Sequence, residues 1–323
     1  MVKVISRQLT SLLLLPMSFK LPSLFFKKLQ APLMSTTLSI KAKCAPKLLQ
    51  EALVYAQEIE AMLSVYKETS LVSTINREAY KQPVALTSEL YALLQDAIRV
   101  SEKTEGLFDI TIGALTQITY KFGHNTPMLP NRNTLKKATS AVSYKNIILE
   151  NSTVSFTHPN TSIDLGGIGK GYCVEALKIF LQEKGVRSGI ISLGGEIVTF
   201  GGTFKVGIAH PRESKLYAYF ETEGSHSIST SGDYERYIKD FSHNHIIDPN
   251  SGRSSSRYAS LSLVSEHHNA TILDAYNTAM FLMEEERLKA FAAQEKLVYL
   301  CLDKDLNEDV YKLEGAVKLF KRI

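Results

Sequence analysis

The ten residues from Ile163 to Tyr172, IDLGGIGKGY, constrain this chain more than any other stretch. An apolar approach ends in Asp164. Four glycines then fall within six positions (Gly166, Gly167, Gly169, Gly171) around a single Lys170, and a helical pattern begins at once. Glycine at this density marks a backbone that turns with φ > 0, or one that another group must touch with no Cβ in the way. A strand, a glycine turn and a helix start in this order aim backbone N–H groups and a positive dipole end at one point, which suits phosphate. Two familiar templates fail. A P-loop requires Ser or Thr where Gly171 stands and glycine where Asp164 stands. A dinucleotide fingerprint requires a third glycine where Tyr172 stands and an acidic residue about twenty positions on, after a second strand. A strand-to-helix turn with no ligand is the competing reading, so other parts of the chain must decide.

Composition excludes more than it assigns. An apolar content of 44% is ample for a packed core over 323 residues. The net charge of +4 comes from dispersed Lys and Arg, with no basic run interleaved with aromatics, so no nucleic-acid partner is expected. Cys44, Cys173 and Cys301 are far apart in apolar segments, without C-x-x-C or Cys/His spacing; they read as buried free thiols, and any metal should be held by oxygen. At the start, Lys3 and Arg7 precede an apolar run, Leu9–Phe19, broken by Pro16. That run is too short to span a bilayer and resembles a signal-peptide apolar region, although no A-x-A-type cleavage site follows and no cysteine offers a lipid anchor. Residues 1–31 are therefore expected to be a signal-like or disordered segment, with a start at Met17 or Met34 as the alternative.

The remainder, 32–323, reads as one domain. Strand-like Leu33 to Lys43 leads to a helix over Ala45–Leu63, then a polar segment, Ser64–Asn76. Thr87 or Ser88 caps a helix to about Lys103, with Gly106 past its end. A loop rich in Pro and Asn, Gly123 to Asn133, is the candidate boundary between an N-terminal and a C-terminal part. Short strands surround Ile147 and Val154, and a helix over Tyr172–Lys184 is stopped by Gly185. Strands follow at 189–193, 204–209, 216–222 and 260–265, then a helix from about Ala270 to Glu285 and a last strand near 297–302. Strands and helices mix without regular βα alternation, which predicts an α+β fold rather than a doubly wound sheet.

Several constellations carry chemistry. Asp274 and Thr278, four residues apart, share one helix face. Together they offer two hard oxygens to Mg²⁺, which completes its shell with water and substrate phosphate; the alternative is an Asp at a helix N-terminus with a Thr bonding back to a carbonyl. Thr230 to Asp233 reads as a polar turn able to hold phosphate or ribose hydroxyls. His245, close to Asp248, reads as an imidazole beside a carboxylate, a candidate general base or a structural histidine. Gly106-Leu107-Phe108-Asp109 reads as a helix end with an exposed carboxylate, and Gly194-Gly195-Glu196 interrupts an apolar strand.

In chain order these sites are LMST (33–36), SVYKETSLVSTIN (64–76), GLFDITIGAL (106–115), IDLGGIGKGY, ISLGGEI (191–197), STSGDYER (229–236), HIIDPNSG (245–252) and LDAYNTA (273–279). The series resembles the ApbE family, the FAD:protein FMN transferases. The resemblance implies mixed sheets flanked by helices, FAD in a cleft between two lobes, and a divalent cation, usually Mg²⁺. Carried over by motif, the metal donors are the Gly167 carbonyl, Asp274 and Thr278, with Asn277 where some members place a further acid. The FAD contacts carried over are Met34, Tyr66, Leu107, Phe108, Asp109, Asp164, Lys170 and Ile247, and His245 is the catalytic base. The family's M-G-T is Met34-Ser35-Thr36 here, which implies a stiffer loop, and Tyr276 and Asn277 replace residues common in its D-A-L-A-T motif.

The resemblance implies Mg²⁺-dependent transfer of FMN from FAD to a Thr or Ser hydroxyl of an acceptor protein, with release of AMP. Alternatives on the same site are a Mg²⁺-dependent FAD pyrophosphatase and a flavin-binding protein without chemistry. The acceptors implied are flavoproteins such as subunits of membrane redox complexes, with membrane association and a bacterial source. The location implied is periplasmic, on the outer side of the inner membrane, with a cytoplasmic alternative.

Overall fold

The strand expected over Leu33–Lys43 is the return arm of a hairpin in the computed structural model, which describes residues 25–123, 126–311 and 319–322. Strand β1 (Lys27–Leu33) pairs antiparallel with β2 (Thr36–Ala42), leaving Met34 and Ser35 as a two-residue turn. A boundary at residue 31 would therefore cut through a strand that belongs to the domain. The rest of the signal-like segment, residues 1–24, lies outside the described residues. Among the described residues, no helix is long and apolar enough to cross a membrane.

Both turn residues are left-handed, Met34 at φ 47 and Ser35 at φ 61. A two-residue hairpin of this type requires φ > 0 at both positions and prefers Asn-Gly, whereas an L side chain there costs roughly 1–2 kcal/mol. Ser35→Gly should relieve that strain, partly offset by the greater freedom of an unfolded glycine. A net gain of about 0.5–1 kcal/mol is expected in a denaturant midpoint measurement. An unchanged or lower midpoint would show that Ser35 carries no strain.

Eight strands form the main sheet: β1, β2, β3 (Gly189–Leu193), β4 (Glu196–Phe200), β5 (His226–Gly232), β6 (Tyr258–Ser265), β7 (Val298–Asp303) and β8 (Glu308–Tyr311). Their spatial order is their chain order, and every neighbouring pair is antiparallel. The sheet takes strands from both sides of 123–133, so that loop does not divide the chain into two separately built parts. Its hydrophobic neighbours, Tyr120, Phe122, Leu129 and Leu135, pack with Ile238 and Ile247 in a small satellite core.

Both faces of the sheet are covered at its centre, which explains why β6 and β7 are buried along almost their whole length. Successive side chains point to opposite faces. Tyr299 and Cys301 join the large core with the helices, while Val298 and Leu300 join a second core. That second core includes Val206, Ile208, Ala218 and Phe220, from the strands Thr203–Ala209 and Leu216–Glu223 of a three-stranded sheet.

On the helical side lie α1 (Pro46–Leu63), α2 (Leu71–Glu78), α3 (Ser88–Lys103), α4 (Arg132–Thr139), α5 (Gly169–Glu183), α6 (Ala270–Met280) and α7 (Glu285–Gln294). Helix α2 falls largely in the polar segment Ser64–Asn76; Ser70 caps it by accepting from Ser73 N. The helix expected over 270–285 stops at Met280. The carbonyls of Phe281 and Met283 accept instead from the hydroxyls of Ser255 and Tyr258, so the chain turns there with its acceptors satisfied.

Candidate active site

The glycine turn is built for close approach rather than for unusual φ. None of its four glycines is left-handed. A Cβ on Gly171 would lie 2.2 Å from the Ala270 carbonyl oxygen and 2.7 Å from Asp274 Cβ. Gly171 therefore lets the first turn of α5 press on the first turns of α6. The contact has an electrostatic counterpart: Gly171 N–H donates to Asp274 Oδ2 at 2.8 Å, so a carboxylate sits at the positive end of α5. The helix start is aimed at an acid of the protein itself, not directly at a phosphate. The apolar approach is fixed by Asn76, whose amide exchanges two hydrogen bonds with Ile163, 2.7 Å to its N–H and 2.9 Å to its carbonyl.

A cavity of about 320 Å³ opens over this turn. Of the thirteen site residues inferred from sequence, twelve line it: Met34, Tyr66, Leu107, Phe108, Asp109, Asp164, Gly167, Lys170, His245, Ile247, Asp274 and Thr278. They come from six separate stretches of chain: the hairpin β1–β2, the α1 exit, the α3 exit, the glycine turn, the 245–249 turn and α6.

Asn277 is the exception. Its amide nitrogen donates to Ser229 Oγ at 3.0 Å and to the Leu261 carbonyl at 3.2 Å, fully buried. Through that nitrogen it braces α6 against β5 and β6; it is not among the residues lining the cavity, and its Oδ1 is buried with no hydrogen-bond partner. Asp109 also departs from expectation. Far from exposed, it is 6% accessible and spends its carboxylate on Thr111 N–H, Thr111 Oγ1 and Tyr144 N–H. Burial pushes its pKa up against those bonds. Thr230 to Asp233 are not a free turn either. Thr230 to Gly232 end strand β5, and Asp233 forms a bidentate ion pair with Arg212, 2.7 Å for each bond.

Three oxygen-bearing groups remain around one point. Thr278 Oγ1 lies 3.0 Å from where a Gly167 Cβ would stand, and Asp274 is one helical turn from Thr278. The Thr278 hydroxyl also bonds back to the Asp274 carbonyl at 3.2 Å, as an isolated helical Thr would. Among the described residues no three His, Cys, Asp or Glu side chains converge as a metal cluster. A carboxylate, a hydroxyl and a main-chain carbonyl are hard donors, which fits Mg²⁺ with substrate oxygens completing the shell.

Opposite them stands Lys170, 3.5 Å from Asp274 Oδ1 and 3.3 Å from Glu196 Oε1. Burial works against its charge, but Asp274 and Glu196 outweigh it and hold the ammonium well above the usual lysine range. Glu196, 1% accessible, is pushed upward by burial and by Asp274, with Lys170 opposing.

His245 is oriented by a carbonyl, not by the carboxylate of Asp248. Its Nδ1 lies 3.2 Å from Arg236 O. A carbonyl only accepts, so Nδ1 carries the hydrogen and the lone pair of the neutral ring resides on Nε2. Burial, then Arg236, pushes the pKa of His245 down to about 4. The ring is thus a neutral base at ordinary pH.

Other cavity residues escaped the sequence reading. Asp164 Oδ2 accepts from Thr116 Oγ1 at 2.6 Å and Gln117 Nε2 at 2.7 Å, both from a π-helical turn over Ala114–Thr119 that no 3.6-residue period would reveal. Glu60 Oε1 accepts from Met34 N–H at 2.7 Å, tethering the strained hairpin turn to α1. Glu196, singled out by sequence as a charge in an apolar strand after two glycines, does not line the cavity but contacts Lys170, which does.

The pattern of the ApbE family matches residues 34–301. A FAD:protein FMN transferase of Vibrio cholerae is 27% identical over 310 residues, covering 91% of each chain. One from Treponema pallidum is 27% identical over 263 residues, covering 74% of this chain and 72% of its own. Among solved structures, the ApbE protein of Thermotoga maritima aligns with a TM-score of 0.81 at 25% identity, covering 89% of this chain and 97% of that one. The flavin transferase ApbE of Vibrio cholerae aligns at 0.79 and 27%, covering 90% and 97%.

Proposed function

The chain belongs to the ApbE family, and from that membership we propose that it is a FAD:protein FMN transferase using Mg²⁺ and releasing AMP. The observation that carries the mechanism is a neutral His245, oriented through Nδ1, in the same cavity as Asp274, Thr278, Gly167 and Lys170.

In this reading a Thr or Ser hydroxyl of the acceptor attacks the FMN-side phosphorus of FAD. The new bond joins acceptor oxygen to phosphorus, and the bond from that phosphorus to the bridging oxygen breaks. AMP departs with the bridging oxygen. His245 Nε2 takes the hydroxyl proton as the attack proceeds. Lys170 provides positive charge beside the pyrophosphate, and Asp164, held by Thr116, Gln117 and Gly166 N–H, forms a fixed acceptor on the flavin side. Asp274, Thr278 and the Gly167 carbonyl would hold Mg²⁺, which when bound neutralises pyrophosphate charge. Leu107, Phe108 and Ile247 supply apolar wall, a common feature of cofactor-sized pockets.

Incubating the chain with FAD, Mg²⁺ and a Thr-containing acceptor flavoprotein tests the reading. AMP with a flavin-labelled acceptor supports it. AMP with free FMN would instead assign a pyrophosphatase, and unchanged FAD a binding protein.

The pH dependence follows from the histidine. The base must be neutral, and its pKa is displaced downward to about 4, so kcat/KM for FAD should stay level from about pH 8 down to about pH 5 and fall below that. An acid limb near 6.5, the free imidazole value, that disappears in His245→Gln would contradict the buried, neutral assignment.

The proposed setting is the periplasmic face of the inner membrane, with a subunit of a membrane redox complex as acceptor. What supports it is the basic start and apolar run before residue 20. N-terminal sequencing of protein from its native source tests it: an intact start at Met1 would sink cleavage.

A further inference from the structure

Glu196 has no role in the mechanism above, yet it is a buried acid, 1% accessible, in contact with the cavity residue Lys170. It is the first residue of β4, directly after the two-residue turn Gly194-Gly195. That turn is fixed on both sides. Gly195 O accepts from Thr230 N–H at 3.0 Å, and a Cβ on Gly195 would lie 2.2 Å from the Thr230 carbonyl oxygen. The register then sets Glu196 opposite Ser229, whose Oγ accepts from the Asn277 amide and whose hydroxyl opposes the rise in the Glu196 pKa. Glu196 Oε2 is buried with no hydrogen-bond partner, so the polar atom that accounts for this carboxylate is Oε1, 3.3 Å from Lys170. An acid buried for fold stability alone would have both oxygens satisfied. Lys170 in turn lies between two carboxylates, with Asp274 Oδ1 at 3.5 Å on its other side.

We propose that Glu196 is a positioning residue for cation loading: it holds the Lys170 ammonium, which otherwise neutralises Asp274, and retains it when a divalent cation takes Asp274 Oδ1. The inference rests on the reading of Asp274 as a cation ligand. An ammonium and a divalent cation drawn to the same carboxylate repel each other, so Lys170 competes with the ion. Glu196 offers the displaced ammonium a second partner already in place. Without the Glu196 carboxylate as a second partner, Lys170 is left with Asp274 alone and competes more strongly.

The test is binding of Mn²⁺, a spectroscopic substitute for Mg²⁺, to the full chain without flavin, read from the free-ion paramagnetic resonance signal. Asp274→Ala should abolish the site. Glu196→Gln should weaken binding, and Lys170→Met should tighten it, each on the order of threefold to tenfold. In the Lys170→Met background, Glu196→Gln should have no further effect, because Glu196 acts through the lysine. A purely structural role would give the same loss in both backgrounds, and that result would overturn the proposal. Should Glu196→Gln fail to fold, Lys170→Met decides by itself: tighter binding supports the competition, and unchanged or weaker binding overturns it. Mn²⁺ binding that survives Asp274→Ala would remove the cation reading of Asp274 and the inference with it. Binding lost in Asp274→Ala but equal in the other variants would remove the inference alone.

Discussion

Replacing His245 with glutamine is expected to slow FMN transfer by roughly 10²–10⁴-fold, the usual contribution of a positioned general base. Glutamine keeps a donor able to reach the Arg236 carbonyl, so the 245–249 turn should keep its shape. FAD affinity, measured by quenching of flavin fluorescence, should change by less than about threefold, since the loss is specific to the transition state. The expected signature is therefore a fall in the single-turnover rate with near-constant FAD binding. Full flavinylation of the acceptor by the variant would remove His245 from the chemistry. A parallel loss of FAD affinity would make it a binding residue instead.

A second large effect is expected far from the proton transfer. Gly171→Ala introduces a Cβ at 2.2 Å from the Ala270 carbonyl oxygen, and the obstacle is backbone, not the movable end of a side chain. Helices α5 and α6 must separate locally. That should cost about 3 kcal/mol of stability, or a fall in melting temperature on the order of 6–12 °C. The same separation breaks the bond from Gly171 N–H to Asp274 Oδ2 and moves the proposed cation ligand. Transfer should fall at subsaturating Mg²⁺ more than at saturating Mg²⁺. Gly169→Ala is the informative partner: its Cβ would meet Leu63 Cδ1 at 3.4 Å and Leu165 Cβ at 4.0 Å, both ordinary contacts. It should change stability by less than about 0.5 kcal/mol. Similar losses in both variants would mean that the cluster is needed for backbone freedom, not for the approach of α6.

Much of the site could be read from local signals. Motifs such as HIIDPNSG and IDLGGIGKGY are contiguous, and twelve of the residues drawn from them meet in one cavity. The elements were legible for a similar reason. Helix α3 follows the 3.6-residue spacing of Leu90, Leu94 and Ala97 after the Thr87 cap, and Thr87 accepts from Leu90 N as that pattern requires. What failed was anything set by a partner distant in sequence. Asp109 reads as exposed until Tyr144 and Thr111 are seen to claim it. By sequence Asp248 is the natural partner of His245, yet the imidazole Nδ1 pairs with Arg236 O. Strand β5 was hidden because its sequence, HSISTSG, is polar and small, and what makes it a strand is two neighbours in the sheet.

By itself, the sequence determined the mixed α+β architecture, the family, and the set of residues that gather around one cleft. Those properties are written in short-range periodicity and in motifs that require no partner to be recognised. Only the tertiary structure decided what the glycines are for. Their φ angles are ordinary, and the demand on Gly171 comes from Ala270 and Asp274, about one hundred residues downstream. It also decided that Asn277 faces the sheet, and that Lys170 lies between Asp274 and a buried Glu196. Charge and steric fit act through space, and a chain reveals them only once folding has set the distances.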